Sequence, residues 1–157
     1  MEQRIVTNLW FDTQAEEAAE FYTSVFDNSR ITSKSHYPKD SPGAAGTVMT
    51  VEFELDGQKH IALNGGPHFK FTEAISLTIE CDTQEEVDRY WEKLSEGGAK
   101  SDCGWLKDRY GLSWQVTPTI LPDLISDKDP AKAKRAMQAM MTMKKLVIAD
   151  LKKAYDG

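Results

Sequence analysis

Asp12-Thr13-Gln14 and Asp82-Thr83-Gln84 are one tripeptide written twice, and each copy sits between a β-prone apolar run and an amphipathic helical run. The β-prone runs are residues 5–11 and 75–81. Each copy also opens a Thr-x-x-Glu pattern, Thr13 with Glu16 and Thr83 with Glu86. In such a capping box the Thr oxygen and the Glu carboxylate satisfy backbone N–H groups that the first helical turn leaves open. Beyond the boxes, Ala15, Ala18, Ala19, Tyr22 and Phe26 mark one apolar helix face, and Val87, Tyr90, Trp91 and Leu94 mark another, at spacings of three and four. A β-then-α unit that recurs in this way predicts an internal duplication.

The rest of the chain extends both copies. After the first helix, residues 30–37, 46–55 and 58–63 read as strands, with Asp56-Gly57 as a tight hairpin turn and residues 38–45 as a Pro- and Gly-bearing loop. After the second helix, Gly97-Gly98 is a stop signal, and residues 99–102, 104–108 and 112–117 read as three shorter strands. Both modules therefore read βαβββ. The predicted fold is α+β, two such modules forming a curved mixed sheet with helices on its convex side and a cleft on its concave side. The chain is expected to be a single domain over 1–157, with module one about 1–67, module two about 68–120 and a helical extension about 121–157. In that extension Asp129-Pro130 predicts an N-cap and first helical position, with helices over about 130–142 and 146–155.

Charge is distributed unevenly. Residues 1–123 carry 11 basic and 21 acidic groups, and residues 124–157 carry 8 basic and 4 acidic. Phosphate contacts dominate nucleic-acid affinity, so an acidic body without a long basic stripe argues against nucleic acid as a partner. The basic tail reads as the solvated faces of helices docked on the acidic body. No run approaches the ~20 apolar residues of a membrane-spanning helix, and Met1-Glu2-Gln3-Arg4 has neither the basic start nor the apolar core of a signal peptide. The expectation is a soluble, cytoplasmic protein. Cys81 and Cys103 lack a disulfide or metal-binding spacing and read as reduced thiols.

The order of motifs resembles the vicinal oxygen chelate superfamily of glyoxalase I, extradiol dioxygenases and the bleomycin and fosfomycin resistance proteins. It is most similar to the PhnB-like branch, often labelled 3-demethylubiquinone-9 3-methyltransferase. The residues that carry the resemblance are Leu9-Trp10-Phe11-Asp12, Ala18-x-x-Phe21-Tyr22, Leu63-Asn64-Gly65-Gly66-Pro67, Phe69-x-Phe71, Ser76-Leu77, Glu86-x-x-x-x-Trp91-x-x-Leu94, Trp105-x-x-Asp108-x-x-Gly111-x-x-Trp114-Gln115 and Met143-Lys144-Lys145. The resemblance implies a homodimer. It also implies a divalent metal held by His and Glu side chains, which binds two neighbouring substrate oxygens.

Matched to that pattern, the metal-ligand positions fall at Thr7, near Glu52, at Ser76 and at Gln115. Thr, Ser and Gln offer neutral oxygens, poor substitutes for imidazole and carboxylate around a transition metal, so no cofactor is expected and the usual metal site reads as lost. His36, His60 and His68 fall elsewhere and read as structural or solvent-facing. Of these, His60 is the one expected to point toward the cleft. Glu52 and Glu54 read more readily as ordinary outward-facing strand residues.

The expected ligand is a small aromatic or carbonyl-containing metabolite, with catalysis unproven. Its candidate contacts are Thr7, Glu52, Asn64, Phe69, Phe71, Ser76, Trp105, Trp114 and Gln115, because flat aromatic faces stack planar groups and amides both donate and accept. Trp10 and Trp114 read equally as core. Two alternatives stand beside this reading: a metal-dependent glyoxalase- or dioxygenase-type enzyme, and an antibiotic-sequestering protein that does no chemistry. Methyl transfer is disfavoured, because Gly65-Gly66-Pro67 is followed by Phe69-Lys70-Phe71 and a strand instead of a helix. The methionines of the first tail helix, Met137, Met140, Met141 and Met143, read as packing residues, with an adaptable binding surface as the alternative.

Overall fold

The computed structural model describes residues 2–157; Met1, the first residue of the N-terminal tetrapeptide considered above, lies outside the described residues. The chain divides into two compact units, one ending at Lys70 and the other spanning Phe71–Gly157.

The first unit runs β1 (Thr7–Phe11), α1 (Ala15–Val25), β2 (Arg30–His36), β3 (Val48–Leu55) and β4 (Gln58–Asn64). Its sheet has the order β1-β4-β3-β2, with β1 parallel to β4 and the other pairs antiparallel. Leu9 and Phe11 of β1, Val51 and Phe53 of β3 and Ala62 of β4 are buried on the face that α1 covers. Ala15, Ala18 and Ala19 are fully buried on the helix, and their small side chains let it lie close to the sheet. Tyr22 stacks on Phe53 with ring centroids 6.3 Å apart, and Phe53 stacks on His60 at 5.4 Å. Asp56 and Gly57 both take positive φ, 47° and 75°, as a type I′ hairpin requires.

The second unit repeats the plan with β5 (Ser76–Cys81), α2 (Gln84–Ser95), β6 (Ala99–Lys100), β7 (Trp105–Lys107) and β8 (Ser113–Pro118), in the order β5-β8-β7-β6. Again the first strand runs parallel to the last. The eight strands thus form two sheets of four, one per βαβββ unit, and the fold is the expected α+β arrangement of two modules.

The two tripeptides do not cap alike. At α2 the Glu86 N–H donates to Thr83 Oγ1 at 3.2 Å, and Glu86 Oε2 accepts from the Thr83 N–H at 3.3 Å, which is a complete capping box. At α1 the N-cap is Gln14, with no side-chain capping bond, so the expected Thr13 box is absent. The Ala15 N–H donates instead to Asn64 Oδ1 at 2.8 Å. Register explains the difference, since Asn64 pairs with Phe11 at the end of the first parallel pair, whereas Pro118 pairs with Cys81 at the equivalent place in the second. Proline has no side-chain acceptor to lend, so Thr83 is needed there.

The extension contributes α3 (Leu121–Ile125), which the sequence did not signal, and then α4 (Pro130–Met141) and α5 (Ile148–Asp156). Asp129 caps α4 as expected, accepting from the Ala131 N–H at 3.0 Å, with Pro130 in the first turn. Leu121, Leu124, Ala136, Leu146 and Leu151 form a separate buried cluster. Met140 and Met143 pack against that cluster, whereas Met137 and Met141 face outward. No helix among the described residues is long and apolar enough to cross a membrane.

Candidate functional site

In the second unit, β8 alternates between two surfaces. Trp114, Val116 and Pro118 are buried under the helix, and Ser113, Gln115 and Thr117 point to the opposite face of the sheet, which is open at Gln115 and Thr117 and covered at Ser113. Neighbouring strands add Ser76, Thr78 and Glu80 from β5, and Trp105 and Lys107 from β7. The register makes two cross-strand rows, Ser76–Ser113–Lys107 and Thr78–Gln115–Trp105, within which neighbouring side chains are ~5 Å apart at Cβ. Gln115 Nε2 donates to Ser76 Oγ at 2.9 Å. Lys107 Nζ forms an ion pair with the Glu73 carboxylate, and that hydrogen bond holds the Glu73 carboxyl below its usual range. Ser113 is 1% exposed, and its hydroxyl has no hydrogen-bond partner. Ser76, Trp105 and Gln115, three of the predicted contacts, are therefore brought together.

Trp114 is not among them. Its ring lies 2% exposed on the core side, and its Nε1–H donates to Asp108 Oδ2 at 2.9 Å. Asp108 Oδ1 accepts from the Tyr110 and Leu112 N–H groups at 2.8 and 3.1 Å. The spacing Asp108-x-x-Gly111-x-x-Trp114 is thus a clasp that shapes the β7–β8 turn, and Trp114 is removed from the contact set.

In the first unit the open face carries Asn8 and Trp10 from β1 and Glu52 from β3, with Asn8, Ile61, Glu52 and Ser33 in one cross-strand row. Thr7 belongs to the other row, paired with His60 on the helix side, so Thr7 and Glu52 do not share a face. Asn8 occupies the face expected of Thr7. Asn64 is also corrected: its Oδ1 caps α1 and its Nδ2 donates to the Val48 carbonyl at 3.1 Å, so both ends of the amide serve the fold. His60 faces the core instead of a cleft. It is 9% exposed, its Nδ1 lies 2.8 Å from the Gln58 carbonyl, and burial lowers its pKa despite that bond. His36 and His68 are exposed.

Trp10 is built into the glycine loop. Its Nε1–H donates to the Gly66 carbonyl at 2.9 Å, and a Cβ on residue 65 would stand 2.3 Å from the indole, so Gly65 is the residue that lets the loop lie on the ring. Phe69 meets the same ring edge-on at 4.9 Å and remains 66% exposed. Phe71 is half-buried and begins the second unit.

Taken separately, the first unit's open face carries Glu52 and Glu54 with the amide of Asn8, and the second unit's carries Glu80 with the hydroxyl of Ser76 and the amide of Gln115. This does not match the imidazole-and-carboxylate set implied for a divalent metal. Among the described residues, no three His, Cys, Asp or Glu side chains are gathered to hold an ion. Cys81 is buried and its thiol is pushed up to about 12, chiefly by desolvation and then by Glu86 and Asp82, so it is protonated and not nucleophilic at neutral pH. The sequence reading missed Asn8, Lys107 and Ser113. Strand parity with Leu9 and Phe11 would have found Asn8, whereas nothing in the sequence marks an unpartnered hydroxyl.

The profile of the family described as 3-demethylubiquinone-9 3-methyltransferase matches residues 3–117. Among solved structures, the chain is similar to a putative 3-demethylubiquinone-9 3-methyltransferase, the PhnB protein of Bacillus cereus. They share 42% identity over 74% of this chain and 100% of that one, with a TM-score of 0.69. Protein PA1353 from Pseudomonas aeruginosa (21% identity, 74% and 98% covered, TM-score 0.62) shares the fold. So does the genomically encoded fosfomycin resistance protein FosX from Listeria monocytogenes (13% identity, 78% and 98% covered, TM-score 0.53). No curated protein matches. The duplicated βαβββ plan, the profile over most of the chain and the PhnB likeness together place this chain in the PhnB-like 3-demethylubiquinone-9 3-methyltransferase family of the vicinal oxygen chelate superfamily.

Proposed function

We propose that the protein binds a small planar, carbonyl-containing metabolite on the open face of the second-unit sheet, without the metal ion usual in the superfamily and without transferring a methyl group. One observation carries the reading: Gln115, held by its bond to Ser76, lies beside Trp105 in the cross-strand row. Because Gln115 Nε2 is committed to Ser76, the orientation of the amide is fixed and Oε1 is turned to accept from a ligand N–H or O–H. The indole supplies a flat surface on which a conjugated ligand stacks.

The donor set supports the metal-free part, since neutral oxygens compete poorly with water for a divalent transition ion. Against methyl transfer stands the segment after β4, where Gly65-Gly66 lies on Trp10 and no helix begins before β5. The phosphate- and nucleoside-binding turn of Rossmann-type enzymes needs a helix N-terminus at that point. The family resemblance carries a homodimer with the reading, and sedimentation at micromolar concentration tests that part.

The central test is calorimetric titration of the purified protein with planar carbonyl compounds, before and after chelation, together with metal analysis. Binding that survives chelation and falls at least tenfold in Gln115→Ala is the expected result. Stoichiometric Ni, Zn, Mn or Fe whose removal abolishes binding would establish the metal-dependent alternative instead.

A further inference from the structure

On the open face of the second-unit sheet, the Ser113 hydroxyl is buried yet makes no hydrogen bond, although buried polar groups are nearly always paired. Its cross-strand neighbours are Ser76 on one side and Lys107 on the other. The Ser76 oxygen accepts from Gln115 Nε2, so its own proton is available for a further acceptor. Lys107 brings an ammonium group whose present partner is Glu73, a side chain 60% exposed on the segment before β5. Three donors, two hydroxyls and one cation, thus stand in a single row across three strands, and the adjacent row presents Trp105.

A row of donors with no acceptor of its own other than a replaceable carboxylate is complementary to an anion of the same shape as that carboxylate. Resting on the functional reading above, we propose that the ligand is a planar carboxylate. Its carboxylate group takes the place of Glu73 on Lys107 and, as the side chains covering Ser113 give way, accepts from Ser113 and Ser76, while its conjugated part lies on Trp105. In the free protein Glu73 holds the site closed to other anions by occupying the ammonium. The ligand succeeds by adding the hydroxyl of Ser113, which is prepared in the sheet and unused by Glu73.

The test is calorimetry of the full chain with two matched pairs of probes, benzoate and benzamide, 2-naphthoate and 2-naphthamide. The acids are expected to bind at least tenfold more tightly than their amides, and Lys107→Met is expected to erase the difference. Ser113→Ala should weaken the acids severalfold and leave the amides unchanged. Glu73→Gln should tighten the acids three- to tenfold by freeing Lys107, an effect that a purely structural ion pair would not produce. Equal affinity for acids and amides, or acid affinity indifferent to Ser113→Ala, overturns the carboxylate assignment and leaves the planar-ligand reading intact. Failure of both members of both pairs to bind overturns the functional reading itself. Thermal unfolding of each variant confirms that the comparison is between folded proteins.

Discussion

Asp108 is a single buried carboxylate that accepts two backbone N–H groups and an indole N–H, and a neutral side chain of that size has no means of replacing all three bonds. Asp108→Ala is therefore expected to lower stability by ~3 kcal/mol in urea unfolding, and Trp114→Phe, which removes one charge-assisted bond, by ~2 kcal/mol. Five positions from Asp108 the sign reverses. The Ser113 hydroxyl bears the desolvation cost with no bond in return, so Ser113→Ala is expected to leave the urea midpoint unchanged or raise stability by ~1 kcal/mol. A clear loss of stability in that variant would show that the hydroxyl has a partner in solution. His60 is the residue whose charge couples to pH. Burial lowers its folded pKa below the unfolded 6.5, so the unfolded chain binds the extra proton first as pH falls. The contribution of neutral His60 is present above about pH 6.5 and is lost below it, toward the folded pKa. Unfolding curves between pH 7.5 and 5 should show that decline, and His60→Phe should flatten it.

At the scale of elements, each Asp-Thr-Gln joins the first strand to the helix of a βαβββ unit, and the two sheets share one strand order, but the two units are not energetically alike. Thr83→Ala is expected to cost ~1 kcal/mol, because Thr83 accepts the Glu86 N–H, while Thr13→Ala should cost little and Asn64→Ala should take the larger toll at α1. Equal losses in Thr13→Ala and Thr83→Ala would refute that asymmetry. The sequence hid it because the substitute cap arrives from β4, some 50 residues away, and only register brings it to the helix. The same limit misplaced Thr7. Matching a family pattern along the chain leaves an error of one residue, and one residue in a strand is the opposite face. Ser76, Trp105 and Gln115 do share one face, because alternation with buried Cys81, Leu106 and Trp114 sets the side of each strand.

For the whole molecule, the matched profile ends at residue 117, and the helices beyond it are bound into the second unit. Gln84 at the start of α2 donates to the Leu146 carbonyl at 3.1 Å and accepts from the Ile148 N–H at 2.8 Å. The Cys103 and Gly104 N–H groups donate to the Met143 and Lys144 carbonyls at 2.8 and 2.7 Å. Basic groups of the extension meet acidic ones, Lys145 with Asp88 at 2.9 Å and Lys144 with Asp102 at 3.5 Å, as the charge asymmetry suggested. These pairs are largely exposed, and such pairs contribute only ~0.2–1 kcal/mol each. Leu146, by contrast, is fully buried where the extension meets α2 and Gly104. Leu146→Ala is therefore expected to cost ~2–5 kcal/mol and to raise amide exchange in α2 as well as in α5. Adding 1 M salt to the unmodified protein should shift the urea midpoint far less than that substitution does. If α2 keeps its protection when Leu146 is truncated, the extension is an appendage and the buried leucine does not join it to the sheet unit.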